Sequence, residues 1–331
     1  MQAAVLYDVD DIRIEQRDIP KIGAGELLVQ TRASGICTGD VMGWYVRRKA
    51  PLVLGHEPAG VVVQIGEGVT KFARGDRVFV HHHAPCFNCR ACSRGDYVQC
   101  AIWRKSAIDP GGLAEFFRVP VENVADTLRL PDDVPFADGS LVEPLACVVK
   151  SIRRAGVRQG DTMYVIGLGV MGLMHALVGQ SIGARVLGTD FIEQRRAFAQ
   201  TLGVEPVKPG DGFSGADVVI CGPGSPEALR DAFAAVAPGG TVLMFTPLEP
   251  GVPLTLDPND LYFRDVKLVT SYSCGPTDTR ESLEMIARRV VTAERLGAVV
   301  YPLQEAAQAY SALRASQILK PIVTFEPSLF G

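Results

Sequence analysis

Apolar and polar residues alternate from the start of the chain, MQAAVLYDVDDIRIEQ, with the two-residue period of a half-buried strand. Residues 1–120 are rich in Val, Gly and Pro and hold further alternating runs, such as Gly60-Val-Val-Val-Gln-Ile65 and Asp76-Arg-Val-Phe-Val80. Turn signals separate them, among them Gly66-Glu-Gly68 and Ala73-Arg-Gly-Asp76. Short runs punctuated this often predict a β-rich domain of irregular, barrel-like character.

From about Leu145 the texture changes to apolar strands alternating with helical segments. Strands are expected at Met163–Ile166, Arg185–Thr189, Asp217–Cys221, Thr241–Phe245 and Lys267–Thr270. Helical patterns fill the gaps at about Gly169–Ile182, Glu193–Leu202 and Pro226–Val236. This βαβ alternation implies an α/β fold with a parallel, doubly wound sheet. The tail adds a helix at about Thr279–Glu294, a strand near Ala298–Tyr301, a helix at Leu303–Leu313 and a strand at Pro321–Phe325. No internal repeat or low-complexity linker interrupts the pattern.

Thr162 to Ala184 holds no Asp, Glu, Lys or Arg and is long enough to span a bilayer. Its five glycines and central His175 instead spell a strand, a turn and a buried helix, so no membrane partner is expected. A length of 331 residues accommodates two domains. A net charge of −4 and a pI near 5.8 leave no broad basic surface for nucleic acid. The N-terminus shows no basic and then apolar signal segment. Of eight cysteines, Cys37, Cys147, Cys221 and Cys274 are scattered, as suits thiols kept reduced in a cytoplasm.

The other four are clustered: Cys86, Cys89, Cys92 and Cys100, spaced C-x2-C-x2-C-x7-C. Four thiolates this close can close a tetrahedral shell around zinc, with no open position. Ferredoxins also begin C-x2-C-x2-C, but their fourth cysteine follows after three residues and precedes proline. Here the gap is seven and Ala101 follows, so structural zinc is the reading.

Gly167-Leu-Gly169-Val170-Met171-Gly172 is G-x-G-x-x-G, ending one predicted strand and opening a helix. Gly167 permits the tight turn, Gly169 lets backbone approach a pyrophosphate, and Gly172 lets helix and strand pack. Free N–H groups at the helix start, including those near Val170 and Met171, favour phosphate. Asp190 closes the next strand, where a carboxylate holds both ribose hydroxyls of NAD and repels the 2′-phosphate of NADP. Arg195 and Arg196 follow on a helix surface, one of them placed to stack near the adenine edge.

Cys37, in Ser34-Gly-Ile-Cys-Thr-Gly-Asp40, and Gly55-His-Glu-Pro58 offer a thiolate, an imidazole and a carboxylate well separated from the cysteine cluster. With these on the page, the chain resembles the zinc-containing medium-chain dehydrogenases/reductases, most closely their polyol (sorbitol-like) and threonine dehydrogenase branch. The matches run in order: Gly35-Ile-Cys-x-x-Asp40, Gly55-His-Glu57, Gly75-Asp-Arg-Val78, the cysteine cluster, Gly111-Gly-Leu-Ala-Glu115, Glu143-Pro-Leu145 and the glycine fingerprint.

The resemblance implies a GroES-like β-rich catalytic domain from residues 1–147 and 274–331, and a Rossmann domain from 148–273. It implies a catalytic zinc bound by Cys37, His56 and one or both of Glu57 and Glu143, with Asp40 orienting the ring of His56. It further implies NAD-dependent oxidation of a secondary alcohol, two zinc ions per chain, a small alcohol or ketone as partner, and a homodimer or homotetramer. Glu143 replaces the cysteine of liver-type alcohol dehydrogenases, which points to the polyol branch.

Two positions depart from the pattern. The family usually has Ser or Thr two residues after the zinc cysteine, as the start of a proton relay; here that residue is Gly39, and the hydroxyl is on Thr38. The family's following histidine is Met42. Thr38, a zinc-bound water or Glu57 remain open as substitutes. The run His81-His82-His83 lies at a strand end, where neighbours point apart, so the three are not expected to share an ion. Trp44, Tyr45 and Trp103 read equally as pocket walls or packing residues. Two other classes remain: a reductase using NADH or NADPH with only the structural zinc, and a non-enzymatic NAD-binding protein.

Overall fold

The computed structural model describes residues 1–325. The chain divides into two compact units, Met1–Ala146 with Cys274–Gly331, and Cys147–Ser273.

In the discontinuous unit the described residues form a seven-stranded sheet. Its order is Val299–Pro302, Pro321–Thr324, Leu27–Gly35, Glu57–Ile65, Arg77–Phe79 and Leu128–Arg129, with Phe116–Val119 also pairing to Leu27–Gly35. A smaller sheet joins Asp11–Gln16, Gln2–Asp8 and Leu52–Val53. The alternation at the N-terminus is therefore a hairpin, with Ala3, Ala4, Val5 and Leu6 all buried because both faces are covered. Apolar side chains pack on either side: Leu27, Val29, Val62, Val78 and Phe117 in one cluster, Leu6, Ile36, Leu54, Leu113, Tyr310 and Val323 in another.

Register decides what this sheet presents. Gly35 pairs with Glu57 antiparallel, and Ile322 pairs with Gly35. Cys37, His56 and Lys320 each lie within two residues of those paired positions, so three separate segments converge at one end of the sheet. A Cβ at Gly35 would overlap the Glu57 carboxylate and stand 2.9 Å from Lys320 Nζ, so glycine is the residue that leaves room.

The contiguous unit is a six-stranded parallel sheet among the described residues. Its order is Glu205–Pro206, Arg185–Thr189, Thr162–Ile166, Ala216–Cys221, Val236–Met244 and Lys267–Thr270. The chain builds outward from Thr162–Ile166 in one direction and then returns to build in the other. The crevice at the C-terminal ends of Thr162–Ile166 and Ala216–Cys221 is thus the switch point, where such sheets bind nucleotides. Helices Val170–Ile182, Glu193–Thr201 and Pro226–Ala235 agree with the periodicity.

Some boundaries differ from those the sequence predicts. The helix expected at Thr279–Glu294 spans Pro276–Ala287. Pro276 opens it, and the Asp278 carboxylate accepts the Gly275 N–H at 2.7 Å. Arg289 then turns left-handed, with φ 58°, and stops it. Helix Val142–Ala155 was not predicted; its Pro144 lies in the first turn, where proline is tolerated. Helix Pro258–Phe263 was also missed, and strand Val236–Met244 begins before the expected Thr241. No helix of the described residues is long and apolar enough to cross a membrane.

The uncharged stretch resolves into strand Thr162–Ile166 and helix Val170–Ile182, whose His175 is fully buried. Its Nδ1 meets the Met171 carbonyl at 2.7 Å, and its Nε2 meets Ser151 Oγ at 2.7 Å. Burial pushes its pKa down to about 4, the Met171 carbonyl opposing only in part. In the unfolded chain the imidazole takes its proton near pH 6.5, so His175 leaves stability intact above that pH and subtracts from it as pH falls toward 4. The full difference is roughly 3 kcal/mol. We predict that urea unfolding at pH 7 and pH 4.5 shows a smaller acid loss in His175→Gln than in wild type. Equal losses would refute this.

Candidate metal centres and dinucleotide site

Cys86, Cys89, Cys92 and Cys100 come together on a loop, a short helix and a 3-10 turn. Phe87 adopts φ 59° to turn the chain between the first two. Sulfur–sulfur separations are 3.5 Å for Cys89–Cys92, 3.6 Å for Cys86–Cys100 and 3.9 Å for Cys86–Cys92. A tetrahedron with zinc–sulfur bonds of about 2.3 Å has edges of about 3.8 Å, so the four sulfurs already sit at a zinc shell's spacing. Disulfides are absent from all eight cysteines, and bonded sulfurs would lie at about 2.05 Å. Burial raises the Cys100 thiol, but N–H groups of Cys86, Trp103 and Ile102 outweigh it and bring the pKa to about 6. Cys92, pressed by burial and by the other thiols, is pushed up to about 12. Trp103 is buried against this lobe, 4.4 Å from the His83 ring, and is a packing residue there.

At the converging sheet end, Cys37, His56 and Glu57 place their ligand atoms within 4.8 Å of one another. His56 turns Nδ1 toward Asp40 Oδ2 at 3.5 Å, and Tyr310 Oη donates to the same oxygen at 3.4 Å. Glu57 is fully buried: Oε2 accepts from the equally buried Lys320, whose Nζ also donates to the Ile36 carbonyl at 3.1 Å. Glu57 Oε1 is buried with no hydrogen-bond partner.

Burial pushes the Cys37 thiol up against the pull of His56, and pushes Glu57 up against the pull of Lys320. Burial would lower His56, but Asp40 and Cys37 outweigh it and hold the imidazole well above its usual range. Such a site favours positive charge.

Thr38 opens the 3-10 turn Thr38–Val41, and the Gly39 N–H donates to Cys37 Sγ at 3.3 Å. A Cβ at Gly39 would stand 3.5 Å from that sulfur. A side chain at position 39 would therefore adjoin this sulfur.

Glu143, in the first turn of Val142–Ala155, falls outside the Cys37 trio and groups instead with His81 and Cys274, again within 4.8 Å. Its charge is nonetheless felt at both His56 and Glu57. The three histidines diverge. His81 is fully buried, with Nδ1 2.6 Å from Asp126 Oδ2. His82 lies 5.0 Å from the His56 ring, and burial drives its pKa well down. His83 bonds the Ser106 carbonyl. Sequence reasoning found neither His81 with Asp126 nor Cys274; nothing in the spacing links them.

In the contiguous unit, Gly167 has φ 88°, open to glycine at no steric cost, and Gly169 caps the helix Val170–Ile182. A Cβ at Gly172 would overlap the Gly167 carbonyl, so the helix can seat this close only without one. Asp190 accepts from the Leu168 N–H at 2.9 Å and the Ile192 N–H at 2.8 Å, with Arg195 Nη1 at 3.5 Å. Arg196 Nη1 donates to the Asp190 carbonyl at 2.5 Å. The carboxylate is thus fixed beside the fingerprint turn.

Residues 23–132 match the alcohol dehydrogenase GroES-like domain family, and residues 167–288 match the zinc-binding dehydrogenase family. A protein of Aspergillus clavatus named as a D-xylulose reductase is 28% identical, covering 96% of this chain and 95% of its own. A sorbitol dehydrogenase of Bombyx mori is 35% identical over 216 residues, 62% of this chain and 61% of its own. A Sinorhizobium meliloti protein named as a zinc-binding dehydrogenase, solved with NADP bound, superposes with a TM-score of 0.88 at 27% identity, covering 98% of both chains. With two dehydrogenase families matched in sequence order, the chain belongs to the zinc-containing medium-chain dehydrogenase/reductase superfamily, in its polyol dehydrogenase branch, and is an oxidoreductase.

Proposed function

We propose that the chain oxidises a secondary alcohol of the polyol, sugar, cyclitol or hydroxylated amino acid class, using NAD and two zinc ions per chain. The observation that carries this reading is the trio Cys37, His56 and Glu57, with the buried Glu57 Oε1 unpartnered. A thiolate, an imidazole and a carboxylate suit catalytic zinc, which takes three protein ligands and leaves a fourth position open. The lobe of four cysteines fits the second zinc, closed and structural.

When bound, zinc supplies Lewis acidity at the alcohol oxygen and NAD supplies the carbon that accepts hydride. The protein's residues do the rest. Asp40, backed by Tyr310, holds the His56 tautomer and ring orientation. Lys320 anchors one oxygen of Glu57 and leaves the other for the ion. The N-terminus of Val170–Ile182 receives the pyrophosphate, with N–H groups at Val170 and Met171 and clearance at Gly169. Asp190 takes the ribose hydroxyls, and Arg195 flanks the adenosine.

For proton release we favour water held near Glu57 or Glu143 over Thr38, because the Thr38 hydroxyl sits one residue before the family's relay position and projects in a different direction from it. Eight free thiols suit a cytoplasmic setting, and the family implies a homodimer or homotetramer.

Elemental analysis after dialysis in zinc-free buffer tests the ligand sets: two zinc ions are expected in wild type and one in His56→Asn. His56→Asn should abolish NAD reduction across a panel of polyols, sugars, cyclitols and amino alcohols, while NAD binding persists. One zinc in the wild type would leave only the cysteine lobe loaded and overturn the reading.

Cofactor choice rests on Asp190. Wild type should show higher kcat/KM with NAD than with NADP, and Asp190→Ser should narrow the gap by about 10-fold or more, since removing a like-charge contact changes affinity by about a pKa unit's worth of energy. Preference for NADP in wild type would refute this assignment.

Thr38→Val separates the proton routes. A direct acid–base role is worth about 10²–10⁴-fold in turnover; we expect a near-silent variant with zinc retained. A loss in that range would assign the relay to Thr38.

A further inference from the structure

Cys274, His81 and Glu143 come from three distant stretches of sequence and meet in the interior of the discontinuous unit. Cys274 and His81 are fully buried, and Glu143 is 5% exposed. Cys274 Sγ lies 3.5 Å from His81 Nε2 and 3.9 Å from Glu143 Oε1. A tetrahedral zinc with bonds of about 2.3 Å to sulfur and about 2.1 Å to nitrogen or oxygen separates such ligand pairs by about 3.6 Å. The separations therefore match a metal shell as well as those in the four-cysteine lobe do.

A second observation is independent of the spacing. His81 Nδ1 is tied to Asp126 Oδ2 at 2.6 Å, and Asp126 is itself fully buried. The Asn123 amide holds the His81 carbonyl at 2.9 Å. This fixes the ring with Nε2 aimed at Cys274. A carboxylate behind the far nitrogen of a histidine is the standard support of a metal-ligating imidazole, because it selects the tautomer and raises ligand basicity.

Charge agrees. Two buried carboxylates, Glu143 and Asp126, and a thiol surround one imidazole, and such groups are costly to bury without a cation. With the thiolate and both carboxylates counted and the imidazole neutral, a divalent ion reduces the buried charge from −3 to −1.

We propose that His81, Cys274 and Glu143 form a third cation position, for zinc or an ion of similar softness, oriented by Asp126. It fills after the two sites proposed above, because all three of its ligands are sealed from solvent.

The test titrates zinc-loaded protein with Co²⁺ and counts total zinc plus cobalt per chain after gel filtration. Wild type should reach three, with a thiolate-to-cobalt charge-transfer band. Cys274→Ser should reach two and lose the band. His81→Gln should also reach two, a check independent of any folding defect in the serine variant. Asp126→Asn should keep the band but weaken cobalt binding about 10- to 100-fold. A wild-type total of two, or an undiminished third equivalent in Cys274→Ser, overturns the proposal. His56→Asn distinguishes the two readings: a loss of one zinc with the third equivalent retained supports both. A wild type that never exceeds two, with that same loss in His56→Asn, sinks this inference alone.

Discussion

The antiparallel pairing of Leu27–Gly35 with Glu57–Ile65 is the constraint on which the cluster of Cys37, His56 and Glu57 depends. It sets Gly35 opposite Glu57, and the strand Pro321–Thr324 on the other side brings Lys320 to the same place. A one-residue slip would turn every side chain of the pair to the opposite face. Glu57 would then lose its buried ammonium partner, and breaking a buried ion pair from one side costs about 3–5 kcal/mol. The register is therefore held by the same residues that the site uses. Gly35 is part of this, since any larger residue would occupy the space of the ion pair.

Around that frame the interior carries more anionic than cationic groups. Asp40, Glu57, Asp126 and Glu143 are buried, with Lys320 the one buried lysine or arginine side chain among the described residues. The balance is met by imidazoles, and it sorts them. His56 and His81, facing carboxylates and thiols, are held well above the usual range. His82 and His83 are driven down, by burial first and by the neighbouring imidazoles after it. Residues adjacent in sequence acquire opposite electrostatic roles because the chain turns them toward different neighbours.

The dinucleotide unit works on another principle. The ligand recognition proposed for it is built into the backbone: the left-handed turn at Gly167, the uncapped N–H groups after Gly169 and the contact at Gly172 need no side-chain network. The Asp190 carboxylate, proposed to read the ribose with Arg195 beside it, is held by two main-chain N–H groups before any ligand arrives. Preorganisation of this kind lowers the entropic cost of binding.

The sequence by itself determined whatever depends on local spacing. The four-cysteine cluster, the glycine fingerprint with Asp190, and the βαβ rhythm are all short-range patterns, and helices such as Pro226–Ala235 follow from local periodicity and capping. The motif around Cys37 and the pair His56-Glu57 was legible too, but only through family resemblance, because neither segment is distinctive alone. Boundaries failed where a left-handed Arg289 ends a helix that apolar periodicity would continue. What only the tertiary structure decided is which distant groups meet. Lys320 beside Glu57, Asp126 behind His81, and Cys274 against His81 and Glu143 are contacts across more than a hundred residues, or between unlike motifs. Long-range strand register and burial create them, and neither leaves a signal in a local window of sequence.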